Sequence, residues 1–479
     1  MKMVDVRIIF LDTLGYLDNL SRHTHFVKDW TGARLPADVC LPPLDFMYAA
    51  AYLRQYGCQV KIIEANIKHY PPAKAVDIIR GNLPHFVVIP YTVMGMSADK
   101  YLSVLIRKSL PETKIIFSGP LVTYDPAGVL LDNSADYVAL GELELPLLNI
   151  VRQDYSENVA YKDEEGKVII GKRRLLDLKE LPIPARDIID NQAYRYAVFN
   201  KRNPLTAMTI SRGCPYSKCE FCHSNLYTLG QIRYRDFTSI IEEIKEIVFK
   251  YKISEIFFRD QTITANRDLI SNICEYLIAH KIKILWRCET RVDLVDRDLL
   301  NLMHHAGCYQ MSFGFESSSQ EVLDKNNKGI TPEQSRQAAR LAKEAGIEVV
   351  GLFLYGMLGD TKESMEKQLN FALDLRVDYA IFEAICFMPG APGYENVIKT
   401  RPEIFPQEVL REYVKKAYAR FYLRPSFIFK YVLRLFHAHS WSYFLLSIKL
   451  LLEAFLFFWR WDFPLFGIPD DQVNRKKVL

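Results

Sequence analysis

At 479 residues the chain is too long for a single core and fits two domains with extensions. Its 49% hydrophobic and 25% charged residues are the balance of a globular protein. A net charge of +4 gives no ground for nucleic acid as a partner, and nine cysteines in this length exclude a disulfide framework.

The opening MKMVDVRIIFLD reads as a first buried strand, because Asp5 and Arg7 break the apolar run that a signal peptide needs. Over residues 1–155 short apolar runs alternate with helical patterns. Strands are predicted at Val4–Phe10, Gln59–Glu64, Phe86–Pro90, Lys114–Phe117 and Tyr137–Leu140, with amphipathic helices such as Leu44–Gln55 and Asp99–Ser109 between them. Continuous apolar strands in this alternation predict an α/β domain with a doubly wound parallel sheet, which binds ligands at the carboxyl ends of its strands.

Residues 156–200 form a charged connector that includes KDEEGK and LKELPIPARD. Over 201–398 the alternation resumes. Strands are predicted at Ala207–Ser211, Glu255–Arg259, Ile284–Cys288, Gln310–Phe315, Glu348–Tyr355 and Ala380–Phe387. Six β–α units predict a partial or complete parallel barrel, with its active site at the C-terminal ends of the strands.

Residues 399–479 read as a helical extension. Arg411–Phe436 carries seven basic residues and one acidic residue among aromatics, and Trp441–Trp459 is nearly apolar. That mixture predicts an interfacial helix on anionic lipid at the inner membrane face, feeding an apolar, lipid-like substrate to the site. A helix packed on the barrel and a true span are the alternatives, the span opposed by Lys449 and Glu453 near its middle.

Three cysteines fall within nine residues, in SRGCPYSKCEFC directly after a predicted strand. Cys214, Cys219 and Cys222 can hold three irons of a four-iron cluster and leave the fourth open to a ligand. The competing reading is structural zinc with His223 as the fourth ligand. Clustered thiols without a secretion signal predict a reducing, cytoplasmic setting.

At these residues the chain resembles the radical S-adenosylmethionine superfamily, whose hallmark is Cys-x3-Cys-x2-Cys. Here the spacing is Cys-x4-Cys-x2-Cys, with one extra residue in Pro215–Lys218. The resemblance implies a 4Fe-4S cluster that binds S-adenosylmethionine, with Phe221 packing near its adenine. It runs on through EIFFRDQTIT, WRCETRVDLVD, MSFGFESSS and GLFLYGMLGDT. Asp260, Arg291 and Glu316 are thereby implied as cofactor contacts, and Gly351 and Gly356 as points of close backbone approach.

The segments SGPLVTYDP and ADYVALGELE are similar to the cobalamin-binding domain that precedes many such enzymes. Thr92, Ser118, Gly119, Gly141 and Glu142 are the implied contacts. No Asp-x-His-x-x-Gly segment occurs, which implies cobalamin held base-off and without a histidine ligand. Together these resemblances imply a class B-like radical methyltransferase, served by an electron donor such as flavodoxin or ferredoxin, that methylates an unactivated carbon. Radical cyclisation, oxidation or carbon–carbon coupling without methyl transfer is the alternative, and a non-catalytic cobalamin or iron–sulfur protein is the second.

Overall fold

The computed structural model describes residues 5–13, 41–91, 96–194, 200–385, 387–395 and 405–429. They divide into two compact units. Unit one holds the described residues up to Ser217 and His223–Cys288; unit two holds Lys218–Cys222 and those from Glu289 onward.

Unit one opens with a sheet of seven strands: β1 (Arg7–Asp12), β2 (Gln59–Glu64), β3 (Phe86–Pro90), β4 (Lys114–Ser118), β5 (Tyr137–Ala139), β6 (Val159–Lys162) and β7 (Val168–Ile170). Their order is β2-β1-β3-β4-β5-β6-β7, and the first five are parallel. The order reverses at β1, which has β2 on one side and β3 on the other, so the switch point lies at its carboxyl end. Ile9, Leu11, Val87, Ile89, Ile115, Phe117 and Val138 share one buried core with helical residues such as Val76, Ile79 and Ile106. Burial on both faces is why these strands are continuous apolar runs rather than alternating ones.

β6 and β7 lie in the segment read as a charged connector. They form an antiparallel hairpin that extends the sheet. The charged DEEG residues are its turn: Asp163 accepts from the N–H groups of Glu165 and Lys167, and Gly166 takes φ +80°.

The same unit continues with β8 (Leu205–Met208), β9 (Ser211–Arg212), β10 (Arg233–Tyr234), β11 (Glu255–Phe258) and the first four residues of β12 (Leu285–Thr290). β8, β11 and β12 are parallel neighbours, and β9 pairs antiparallel with β10. The helices between them start on side-chain caps, Asp236 for Phe237–Lys245 and Asn266 for Arg267–Ala279. A fully buried network binds this part to the first sheet's helix Leu44–Gln55. Arg186 and Arg235 each reach Glu243 at 2.5 Å, and Arg235 also donates to the Tyr48 hydroxyl at 2.9 Å. The terminal nitrogens of the two guanidinium groups donate further to the carbonyls of Ala207 and Thr209, while the Nε of each has no acceptor.

Unit two carries β13 (Cys308–Glu316), β14 (Glu348–Tyr355) and β15 (Tyr379–Ala384), all parallel. The intervening helices Pro332–Glu344 and Lys362–Asp374 begin on capping boxes, Thr331 with Gln334 and Thr361 with Ser364. Helix Gln407–Tyr422 covers β15. The Tyr418 hydroxyl accepts from Phe382 N–H, and the Tyr422 hydroxyl accepts from Ala380 N–H and donates to its carbonyl.

That packing agrees, for the described part of the extension, with the expected alternative of a helix packed on the barrel. Tyr418, Phe421 and Tyr422 are buried against the strand, which withdraws them from any lipid headgroup region. Among the described residues no helix is long and apolar enough to cross a membrane. Trp441–Trp459 lies outside the described residues.

Candidate functional site

In unit one the approach to Cys214 is fixed residue by residue. Asp260, just beyond β11, is buried and accepts from the N–H groups of Ile210 and Ser211 and from the Ser211 hydroxyl. Burial pushes its carboxyl up to about 6, against those hydrogen bonds. Arg212 comes next and pairs with Glu142 at 3.1 Å and Glu144 at 2.7 Å. Gly213 then takes φ +111° and passes so close to Gln231 that a Cβ would meet its carbonyl oxygen at 2.1 Å. Only glycine fits there. Cys214 itself is partly exposed, with the Thr262 hydroxyl 3.6 Å from its sulfur.

In unit two Cys219 and Cys222 are partly exposed and pack against an apolar cluster of Phe221, Val322, Leu354, Met357, Ile385 and Phe387. Their segment is tied down by Glu220, which donates its N–H to Asn326 and accepts from Gly393 N–H. Burial pushes the Cys219 thiol up to about 11, with Lys328 acting in the opposite direction. The remaining described cysteines, Cys58, Cys274, Cys288 and Cys308, are buried in cores.

Glu316 ends β13 in a left-handed conformation, φ +61°, and pairs with Lys328 at 2.9 Å. Gly314 leaves the space for this pair, since a Cβ there would stand 2.6 Å from the Glu316 carboxylate and 2.8 Å from the Lys328 ammonium. Lys328 Nζ also sits 5.8 Å from the centre of the Phe221 ring. Arg291 donates to Asp293 and to the Lys328 carbonyl. Arg291, Glu316, Lys328 and Phe221 thus gather beside the Cys219 thiol.

Several residues expected to face a cofactor have partners within the chain. The space above Gly356 is filled by Leu410, and that above Gly351 by Phe353 and Phe315. Gly119, φ +127°, lets its backbone approach the Tyr91 carbonyl, and Gly141, φ +82°, lies under the Arg173 guanidinium. Ser118 is buried at the end of β4, and Glu142 is held by Arg212 and Arg233. Thr92 lies outside the described residues. Sequence reasoning passed over Lys328, which no motif marks, and Arg212, whose place two residues before the first clustered cysteine was the available signal.

The donor set suits an iron–sulfur cluster: three free thiols in nine residues, two of them lining an apolar surface beside a buried lysine. Among the described residues no three His, Cys, Asp or Glu side chains converge at metal-binding spacing. His223, the fourth ligand in the zinc reading, is partly exposed.

Comparison with known proteins agrees with this chemistry. Residues 208–372 match the Radical SAM superfamily model, and residues 31–151 match the B12 binding domain. An uncharacterized methyltransferase of Pyrococcus horikoshii is 29% identical over 81% of this chain and 89% of its own length. The anaerobic magnesium-protoporphyrin IX monomethyl ester cyclase of Rubrivivax gelatinosus is 28% identical over 71% of this chain and 63% of its own. Among solved structures, the cobalamin-dependent S-adenosylmethionine radical enzyme OxsB superposes with a TM-score of 0.65 at 18% identity, covering 85% of this chain and 56% of that one. The radical S-adenosylmethionine methyltransferase TsrM of Kitasatospora setae gives 0.65 at 14% identity, covering 84% and 75%.

Proposed function

We propose that this chain, which belongs to the cobalamin-dependent radical S-adenosylmethionine enzymes, transfers a methyl group to an unactivated carbon of a small, apolar substrate. The observation that carries the reading is the bond from Arg212 to Glu142 and Glu144. It fastens the loop entering Cys214 to the carboxyl edge of the B12-type sheet, where a methyl donor would be held.

When bound, S-adenosylmethionine on a four-iron cluster supplies the radical that takes hydrogen from carbon, and cobalamin supplies the methyl group. Cys214, Cys219 and Cys222 would hold three of the irons. Asp260 fixes Ile210 and Ser211, so Cys214 enters at one geometry. Phe221, Leu354, Met357 and Phe387 present an apolar wall beside Cys219 and Cys222, which supports an apolar substrate. Lys328, Glu316 and Arg291 supply charges of both signs for the amino-acid end of S-adenosylmethionine. The lack of an Asp-x-His-x-x-Gly segment supports cobalamin bound without a histidine ligand. Flavodoxin or ferredoxin would provide the electron.

The test uses anaerobically reconstituted protein with methyl-labelled S-adenosylmethionine and a reductant, with and without cobalamin. S-adenosylhomocysteine should form only when cobalamin is present. Accumulation of 5′-deoxyadenosine without S-adenosylhomocysteine would favour ring formation or oxidation, the second reading that the likeness to a cyclase supports.

A further inference from the structure

We propose that Arg212, with Glu144, Glu142 and Arg233, is a positioning link through which cobalamin on the parallel sheet and the cluster on the Cys214 loop strengthen each other's binding. It rests on the reading above only in requiring that both cofactors bind.

β9 and β10 set Arg212 directly opposite Arg233, an arrangement of like charges that is unfavourable by itself. Two carboxylates resolve it. Glu142 bridges both arginines, and Glu144 takes a second fork of Arg212. Both follow Gly141 at the end of β5, and Glu144 opens helix Glu144–Arg152, where the helix N-terminus also favours its charge. The side chains of Arg212, Glu142 and Arg233 are 13% exposed and that of Glu144 is 1% exposed, so water does not readily replace a partner.

Little slack separates either end of this link from a cofactor position. Toward the cluster, Ser211 is held by Asp260, Gly213 lies against the Gln231 carbonyl, and Cys214 is the next residue. Toward the sheet, Gly141 N–H donates to the Thr123 hydroxyl at 3.0 Å, which joins the turn after β5 to the helix after β4. A ligand seated on the carboxyl ends of β4 and β5 therefore settles Glu142 and Glu144, and through Arg212 the entry to Cys214. By linkage the cluster must favour the ligand by the same factor.

The experiment is equilibrium dialysis of hydroxocobalamin against full-length protein, once with the cluster reconstituted and once with iron stripped, under anaerobic conditions. Wild type should bind about tenfold or more tighter with the cluster present, within the usual range of such couplings. In Arg212→Met and Glu144→Gln that ratio should fall to within about twofold of one, and the double variant should lower it no further. Glu142→Gln leaves the Arg212–Glu144 pair in place, so it should lower the ratio partway and serves if the stronger variants misfold. A ratio of one in wild type, or an unchanged ratio in the folded variants, overturns the link alone. Absence of cobalamin binding in either wild-type form overturns the link and the methyl-transfer reading together.

Discussion

Asp260 receives the Ser211 N–H at 2.5 Å and the Ser211 hydroxyl at 2.6 Å, three residues ahead of the first clustered cysteine. Asparagine in its place keeps the size but turns an amide donor toward groups that are themselves donors. Asp260→Asn should therefore cost about 1–3 kcal/mol in urea unfolding and bind less than half the wild-type iron. A variant that reconstitutes fully and unfolds at the wild-type midpoint would show that the carboxylate does not organise the loop.

The same residue sets a pH dependence. Its folded pKa of about 6 lies above the ordinary 3.8, because burial disfavours the charged form. Such a carboxyl stabilises the fold fully below about pH 4, and that contribution is lost as pH rises through about 6. The difference amounts to about 3 kcal/mol. Wild type should thus lose stability relative to Asp260→Asn between about pH 4 and pH 7, measured by urea unfolding at stepped pH. Parallel curves for the two proteins would contradict the shift.

Alanine at any one of Cys214, Cys219 or Cys222 should abolish cleavage of S-adenosylmethionine and lower bound iron well below four per chain, because two thiolates hold the cluster poorly. Cys274, fully buried in helix Arg267–Ala279, is a packing residue. Cys274→Ala should lower stability by about 1 kcal/mol and leave cleavage intact. Cleavage by the triple-alanine variant would refute the three-cysteine assignment.

Lys328 and Glu316 form a buried pair whose partners are not equally dispensable. Lys328→Met leaves the Glu316 carboxylate buried without its cation and should cost about 3–5 kcal/mol. Adding Glu316→Gln removes the stranded charge and should recover part of that loss. A double-mutant cycle in urea unfolding measures the pair, and additive losses would mean that the two side chains act separately.

Elements buried on both faces were the most legible from sequence. β3 and β14 have the predicted bounds because FVVIP or GLFLY can satisfy its apolar content only inside a parallel sheet. The β6–β7 hairpin was not legible, since its strands are four and three residues long and its turn is four charged or turn-forming residues. Polar residues at strand ends were found as positions rather than as roles. Asp260 and Glu316 look alike in sequence, yet one holds backbone N–H groups and the other a lysine twelve residues on. The filling of the space above Gly356 by Leu410 depends on a helix 54 residues away, beyond the reach of any local pattern.

The tyrosines that cover β15 arrive late in synthesis. Ala380 waits for Tyr422, a separation of 42 residues, and Phe382 waits for Tyr418, a separation of 36. At a ribosomal pace of about 5–20 residues per second, the wait for Tyr422 lasts roughly 2–8 s. During it the strand can leave the ribosome with N–H and C=O groups open to a neighbouring nascent chain. Yield in an expression host should therefore depend on chaperone supply and on how quickly the last helix is translated, even though the finished fold hides that edge.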